Sequence, residues 1–187
     1  MPHIPLNSDA VGIGSLFEYR PETARPMSEL AEILLRGPST LSRGERELIA
    51  SYVSRLNDCD FCTSSHAAFA AAQLPEGMPL VDQVRADAAS APIPDKLKAL
   101  LQVAAAVQRG GKHVQDEDVA AARKAGATDI EIHDTVLIAA AFCMFNRYVD
   151  GLATTVPKDP SGYVSAAEVI VSAGYLGLLG QGDEQPA

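Results

Sequence analysis

Two cysteines and a histidine lie close together in the chain and have the residue types and spacing for thiol chemistry. Cys59, Cys62 and His66 follow the pattern Cys-x-x-Cys-x-x-x-His. At about 100° per helical residue, the three side chains lie on one helix face. A Cys-x-x-Cys pair at a helix N-terminus has a lowered thiol pKa, and the thiolate is the nucleophilic form. A nearby imidazole can accept or return the proton.

The same spacing suits a reversible disulfide. Residues three apart in a regular helix have Cβ atoms about 5–6 Å apart, whereas a disulfide needs about 3.5–4.5 Å. A first cysteine at the helix end closes this gap, because its backbone torsions are freer. We therefore expect Asn57 or Asp58 to cap the helix and Cys59 to lie in its first turn.

Two other interpretations of these residues stay open. Cys59, Cys62 and His66 could be three ligands of a zinc ion, although the chain has neither a second Cys-x-x-Cys nor a His-x-x-x-His to complete a structural site. The cysteines could also be inert core residues. Cys143 lies in an apolar stretch and is expected to be core.

The elements that must position these residues are predicted to be helices. Alanine is abundant, aromatic residues make up 5% and tryptophan is absent, a composition that favours helices over sheets. Capping signals and apolar periodicity predict an all-α fold with helices at 28–36, from Ser42 to 56, from the cysteine pair to 73, and at 80–90, 95–109, 116–125, 128–152 and 164–179.

The 187 residues suit one hydrophobic core. Residues 1–27 are rich in proline and glycine and are predicted to form an extended N-terminal arm. Residues 28–180 are predicted to form a single all-helical domain. The polar residues 181–187 are predicted to be a disordered tail.

Charge and hydropathy exclude other classes of protein. The net charge is −9 without a basic cluster, so we expect no nucleic-acid partner. No apolar run reaches the roughly 18 residues of a membrane span, so we expect no membrane partner. The N-terminus lacks a signal-peptide pattern. We therefore expect a cytoplasmic protein, in which structural disulfides are rare.

With Glu47 included, the motif resembles a known family. Glu47 stands twelve positions before Cys59-x-x-Cys62-x-x-x-His66, as in AhpD-like alkylhydroperoxidases of the carboxymuconolactone decarboxylase superfamily. Three further segments resemble the peroxidase-related subgroup of that superfamily: Tyr19–Thr23, Leu34–Pro38 and Phe145–Leu152.

The resemblance implies an all-α AhpD-like fold that assembles into homo-oligomers, either trimers or hexamers. It implies that Cys62 attacks a hydroperoxide substrate, that Cys59 resolves the sulfenic acid as a disulfide, and that Glu47 and His66 relay the proton. A dithiol or disulfide-reductase donor then resets the enzyme, and no cofactor or metal is expected. The sequence departs from the best-studied members at Phe61, where they carry a second histidine.

Three other functions stay open: a general disulfide reductase, a carboxymuconolactone decarboxylase-like lyase, and a non-catalytic redox-sensing or structural module. The decarboxylases lack the paired cysteines, which counts against the lyase. Asn146 and Arg147 are further candidates to line the site or a subunit interface. The apolar segment 164–179 and the N-terminal arm are expected to be covered by partner subunits.

Pattern and resemblance disagree about Glu47. The apolar face of its helix carries Leu48, Tyr52 and Val53, and Glu47 lies roughly opposite, where a solvated charge is typical. The resemblance implies a buried carboxylate instead. We follow the resemblance and predict that Glu47 is substantially buried and near His66.

Overall fold

The computed structural model describes residues 1–179, and the regular secondary structure in this range is helical. This range contains no strand, which confirms the all-α prediction for it. Two short 3-10 helices lie at Gly111–His113 and Leu176–Leu178. The α-helices within the range are α1 (Ile13–Tyr19), α2 (Pro21–Arg36), α3 (Arg43–Leu56), α4 (Asp60–Ala71), α5 (Gly77–Ala86), α6 (Asp95–Arg109), α7 (Asp116–Lys124), α8 (Asp129–Gly151) and α9 (Ser161–Ala173).

Helix α3 lies at the centre of the fold, packed against α4, α6 and α8. The predicted capping box opens it: the Ser42 hydroxyl accepts from the Glu45 N–H, and the Glu45 carboxylate accepts from the Ser42 N–H. Small side chains on its second face let α4 approach closely, and the Ser51 hydroxyl donates to the Thr63 carbonyl over 3.0 Å. Both faces of α3 are therefore buried.

The N-terminal segment differs from the sequence prediction. Residues 13–27 do not form an extended arm, because α1 and the first part of α2 are helical there. Pro21 is the first residue of α2, where its missing N–H loses no helical hydrogen bond. Pro26 lies inside the same helix. Ala24 and Ser28 are buried on one side of α2, so packing holds this helix despite its prolines.

The other differences concern helix ends. The final apolar segment, predicted as one helix over 164–179, is α9 followed by a break at Gly174, whose φ is 75°. The predicted tail 181–187 lies outside the described residues. None of the helices within residues 1–179 combines the length and the apolar character needed to cross a bilayer.

Candidate active site

The cysteine pair lies where the chain turns from α3 into α4. Asp58 has a left-handed φ of 55° at this turn. Cys59 is the N-cap residue of α4 and lies just outside the helix, rather than in its first turn as predicted. Cys62 is the third residue of the helix. Both are free thiols, with Cys59 0% and Cys62 4% exposed.

The two thiols have opposite pKa shifts. The hydrogen bond with Cys62 raises the pKa of Cys59 far above its ordinary value, and burial adds to that rise. The same hydrogen bond from Cys59 lowers the pKa of Cys62 and outweighs the effect of its burial. The helix N-terminus also favours a negative charge at Cys62. Of the two thiols, Cys62 is therefore the one that ionises more readily.

Asn146 on α8 adds to this polarisation. Its side-chain hydrogen bond lowers the pKa of Cys62 further. The Asn146 amide is held on both sides, since its Nδ2 donates to the Ser54 hydroxyl over 3.0 Å and its Oδ1 accepts from Asn57 Nδ2 over 2.8 Å. Asn57 in turn accepts from Gln108 on α6 over 3.0 Å. Three helices thus fix the donor that faces the thiolate.

A carboxylate, Asp150, stands beside Cys59. Burial raises the pKa of Asp150, while its hydrogen bond with Cys59 lowers it.

The neighbouring Arg147, predicted as a candidate lining residue, is exposed and donates to the Cys143 carbonyl over 2.8 Å. Arg147 is not among the residues that line the cavity described below, so its predicted place at a subunit interface stays a prediction. Its position on α8 points it to the surface.

Glu47, His66 and Tyr175 form a second hydrogen-bonded group. Glu47 is 0% exposed, and its Oε2 lies 2.7 Å from His66 Nδ1. The prediction that Glu47 is buried near His66 is therefore confirmed. The Tyr175 hydroxyl donates to the other carboxylate oxygen, Oε1, over 2.7 Å. In the tautomer in which Nδ1 of His66 donates to Glu47 Oε2, Nε2 is the acceptor that faces away from the carboxylate.

Both groups open onto one cavity of about 600 Å³. Cys62, His66 and Tyr175 contribute to its wall, and so does Phe61, as predicted. The His66 ring packs edge-on against Phe142, with ring centroids 4.5 Å apart. Most of the remaining wall is apolar and comes from α1, α2, α8, α9 and the residues after α9. The cavity is thus a mainly apolar chamber with the Cys62 thiol and the His66 imidazole at its wall.

The spacing of the motif predicted four of these residues, and the packing adds two. Cys59, Cys62, His66 and Glu47 are brought together, with Asn146 beneath the thiols. Sequence reasoning missed Tyr175 and the contact of Asp150 with Cys59. The one signal for Tyr175 was a phenol within an otherwise apolar segment, since a buried tyrosine hydroxyl needs a polar partner.

Within residues 1–179, no three His, Cys, Asp or Glu side chains converge on a point that could hold a metal ion.

The helical fold and this dithiol site place the chain in the AhpD-like class of proteins. It belongs to the carboxymuconolactone decarboxylase family, whose model matches residues 21–73 and 75–156.

Two solved structures have the same fold. An uncharacterized peroxidase-related protein from Ralstonia eutropha JMP134, described as an alkylhydroperoxidase AhpD core, superposes with a TM-score of 0.73 at 26% identity, over 81% of this chain and 78% of that one. An uncharacterized peroxidase-related protein from Silicibacter sp. TM1040 superposes with a TM-score of 0.72 at 27% identity, over 80% and 76%. A comparison with curated proteins finds no match.

Proposed function

We propose that this protein is a thiol peroxidase that reduces organic hydroperoxides through the Cys59–Cys62 pair. The observation that carries the proposal is the unequal pair of thiols at the wall of an apolar cavity, with the pKa of Cys62 lowered by the thiol of Cys59. A thiol with a lowered pKa and a protonated partner beside it are what such a reaction requires.

The reaction has three balanced steps. The Cys62 thiolate attacks one oxygen of the hydroperoxide, the O–O bond breaks, and Cys62 becomes a sulfenic acid. His66 takes up the proton of the Cys62 thiol at Nε2 when the thiolate forms, and Glu47 stabilises the resulting imidazolium. His66 then passes this proton to the leaving alkoxide, which departs as an alcohol. Cys59 then attacks the sulfur of Cys62, and the hydroxide leaves as water with the Cys59 proton. An external dithiol reduces the disulfide.

Burial favours a small substrate over a protein substrate. Cys59 is 0% and Cys62 4% exposed, so the disulfide of a folded protein cannot reach either sulfur without a rearrangement. A cavity of about 600 Å³ does admit a small organic hydroperoxide and a small dithiol. This supports a peroxidase over a general reductase of protein disulfides.

Stopped-flow consumption of cumene hydroperoxide, with dithiothreitol as donor, tests the proposal. The Cys62→Ser variant is expected to have no turnover. Without the dithiol donor, the Cys59→Ser variant is expected to consume one equivalent and stop as a sulfenic acid that dimedone traps. Cys143→Ser is the matched control, because Cys143 lies outside the cavity, and it is expected to behave as the wild type. Wild-type turnover in Cys62→Ser would rule the proposal out.

A further inference from the structure

Tyr175 completes the group around His66 from a distant part of the chain. It lies 128 residues after Glu47, and its hydroxyl is within 2.7 Å of Glu47 Oε1 and 3.4 Å of His66 Nδ1. The Tyr175 ring stacks beside the imidazole, with centroids 6.3 Å apart at an interplanar angle of 16°. Burial, and then the charge of Glu47, raise the pKa of Tyr175 well above its ordinary value. The Tyr175 hydroxyl therefore stays protonated, and so remains a donor, around neutral pH.

Helix α2 holds Tyr175 in this position. The Glu32 carboxylate accepts from the Tyr175 backbone N–H over 2.8 Å and pairs with Arg36 over 3.0 Å. Arg36 also donates to the Ile170 carbonyl at the end of α9. Gly174 adopts a φ of 75°, and a Cβ there would lie 2.4 Å from Glu32 Oε2. Only glycine fits between this ion pair and the turn that presents Tyr175.

We propose that Tyr175 is a positioning residue of the proton relay, an inference that rests on the proposed function. By donating to Oε1, it turns the Glu47 carboxylate so that Oε2 receives the proton of His66 Nδ1, which leaves Nε2 free to act as the base. A buried carboxylate without this donor would hold the proton that it shares with His66 more tightly.

Other charged and titratable groups surround the relay. Helix α8 packs the uncharged Phe142 ring against the imidazole. Charged or titratable groups near the relay include Glu32 and Arg36 from α2, Arg46 from α3 and Cys62 from α4. Glu18 from α1 and Tyr163 from α9 line the same cavity. Arg36 and Glu32 are paired with each other, so their opposite charges act on the relay in opposite directions.

The test is an NMR titration of the His66 ring, combined with the pH profile of kcat/KM for cumene hydroperoxide. In Tyr175→Phe, the midpoint of the His66 titration is expected to rise by about one pH unit, and the acidic limb of the rate profile is expected to move with it. The free energy of a hydrogen bond to a charged group corresponds to a shift of about this size. Tyr52→Phe is the matched control: it removes a half-buried phenol oxygen from α3, outside the cavity, and both midpoints are expected to stay in place.

Gly174→Ala is a second variant, which keeps the Tyr175 phenol but displaces the turn that presents it. A smaller rise of the His66 titration midpoint is expected. A folded Tyr175→Phe protein with an unchanged His66 titration would overturn the inference. If Tyr175→Phe does not fold, an unchanged titration in Gly174→Ala would overturn it instead. A shifted titration in a protein without any hydroperoxide turnover would overturn the proposed function and leave the positioning role of Tyr175 intact.

Discussion

The two cysteines differ because of their positions in the turn between α3 and α4. Cys59 stands before the helix, beside Asp150, where a negative charge is unfavourable and the thiol keeps its proton. Cys62 stands within the first helical turn, where the thiol of Cys59 and the amide of Asn146 both favour its thiolate. Hydrogen bonding thus favours ionisation at Cys62 over Cys59, even though both sulfurs are buried.

Asn146→Ala is predicted to raise the pKa of Cys62, because the substitution removes a donor to the thiolate. A rise of about one unit is expected, with a loss of up to roughly tenfold in the hydroperoxide rate at neutral pH that is recovered at high pH. The thiolate absorbance at 240 nm, followed with pH, measures this shift. Arg147→Ala is the control, since the adjacent Arg147 points to the surface. Equal titrations of Asn146→Ala and the wild type would contradict the role of Asn146.

The sequence could predict site residues that share a local motif and could not predict those brought in by tertiary packing. Cys59, Cys62 and His66 lie within eight residues, so helix geometry alone places them together. The burial of Glu47 near His66 was predicted only from the family resemblance. Its helix buries two faces, and the apolar pattern of the sequence reveals one of them. Tyr175 reaches the site only when the segment after α9 docks on α2, which no local pattern encodes.

At the scale of elements, the start of α8 depends on the buried carboxylate of Glu131. Burial opposes its charge, but hydrogen bonds from Lys96, the Thr128 N–H, the Thr40 hydroxyl and the Thr128 hydroxyl outweigh that effect and lower the pKa of Glu131 to about 2. These bonds join the start of α8 to α6 and to the loop before α3. Helix α8 is in turn the element that carries Asn146.

This lowered pKa predicts an acid-sensitive contribution to stability. A carboxylate whose pKa falls on folding stabilises the protein above its unfolded pKa, and that stability is lost as the pH falls through the folded value. Glu131 is therefore expected to contribute up to about 3 kcal/mol, which disappears between roughly pH 4.5 and pH 2. Urea unfolding of wild type and Glu131→Gln at pH 6 and pH 3 measures it. The difference between the two proteins should shrink at pH 3, and a constant difference would contradict the prediction.

The segment before α1 closes the cavity over Phe61, and Gly12 is the point of contact. Gly12 has a φ of 55°, and a Cβ there would lie 2.2 Å from the Phe61 ring. Gly12→Ala is therefore expected to push the segment off the ring and to lower the free energy of unfolding by roughly 1–3 kcal/mol. Gly14→Ala is the matched control, since its Cβ would make an ordinary contact at 3.6 Å. Equal unfolding free energies for the two variants would argue against this closure.

Helix positions were predicted best where caps lie in the sequence. Ser42 and Thr128 open α3 and α8 through capping boxes, and Gly110 ends α6, all close to the predicted bounds. The prolines of the N-terminal segment led to the wrong prediction of an extended arm, because proline fits the first turn of a helix as readily as an extended segment. Packing against the core decides between these two states, and packing is not a local property.

For the whole molecule, the exposed apolar side chains predict assembly. Val164 is 58% and Val171 41% exposed on α9, and Met144 is 45% exposed on α8. Apolar surface of this kind is typical of subunit contacts, in line with the homo-oligomer that the family resemblance implies. Light scattering coupled to size exclusion is expected to give the mass of a trimer or a hexamer. A stable monomer of 19.7 kDa at micromolar concentration would contradict this prediction.

Of the two sulfurs, Cys62 is expected to be the ionised one and Cys59 the one that carries the proton. Rapid alkylation of the reduced protein by iodoacetamide, quenched at short times across a range of pH and located by mass spectrometry, distinguishes them. Near neutral pH the label is expected on Cys62 well before Cys59. The pH midpoint of the Cys62 labelling rate is expected below the ordinary thiol pKa of about 8.5. Earlier labelling of Cys59, or an ordinary pH midpoint for the labelling of both sulfurs, would show that Cys62 is not the ionised thiol.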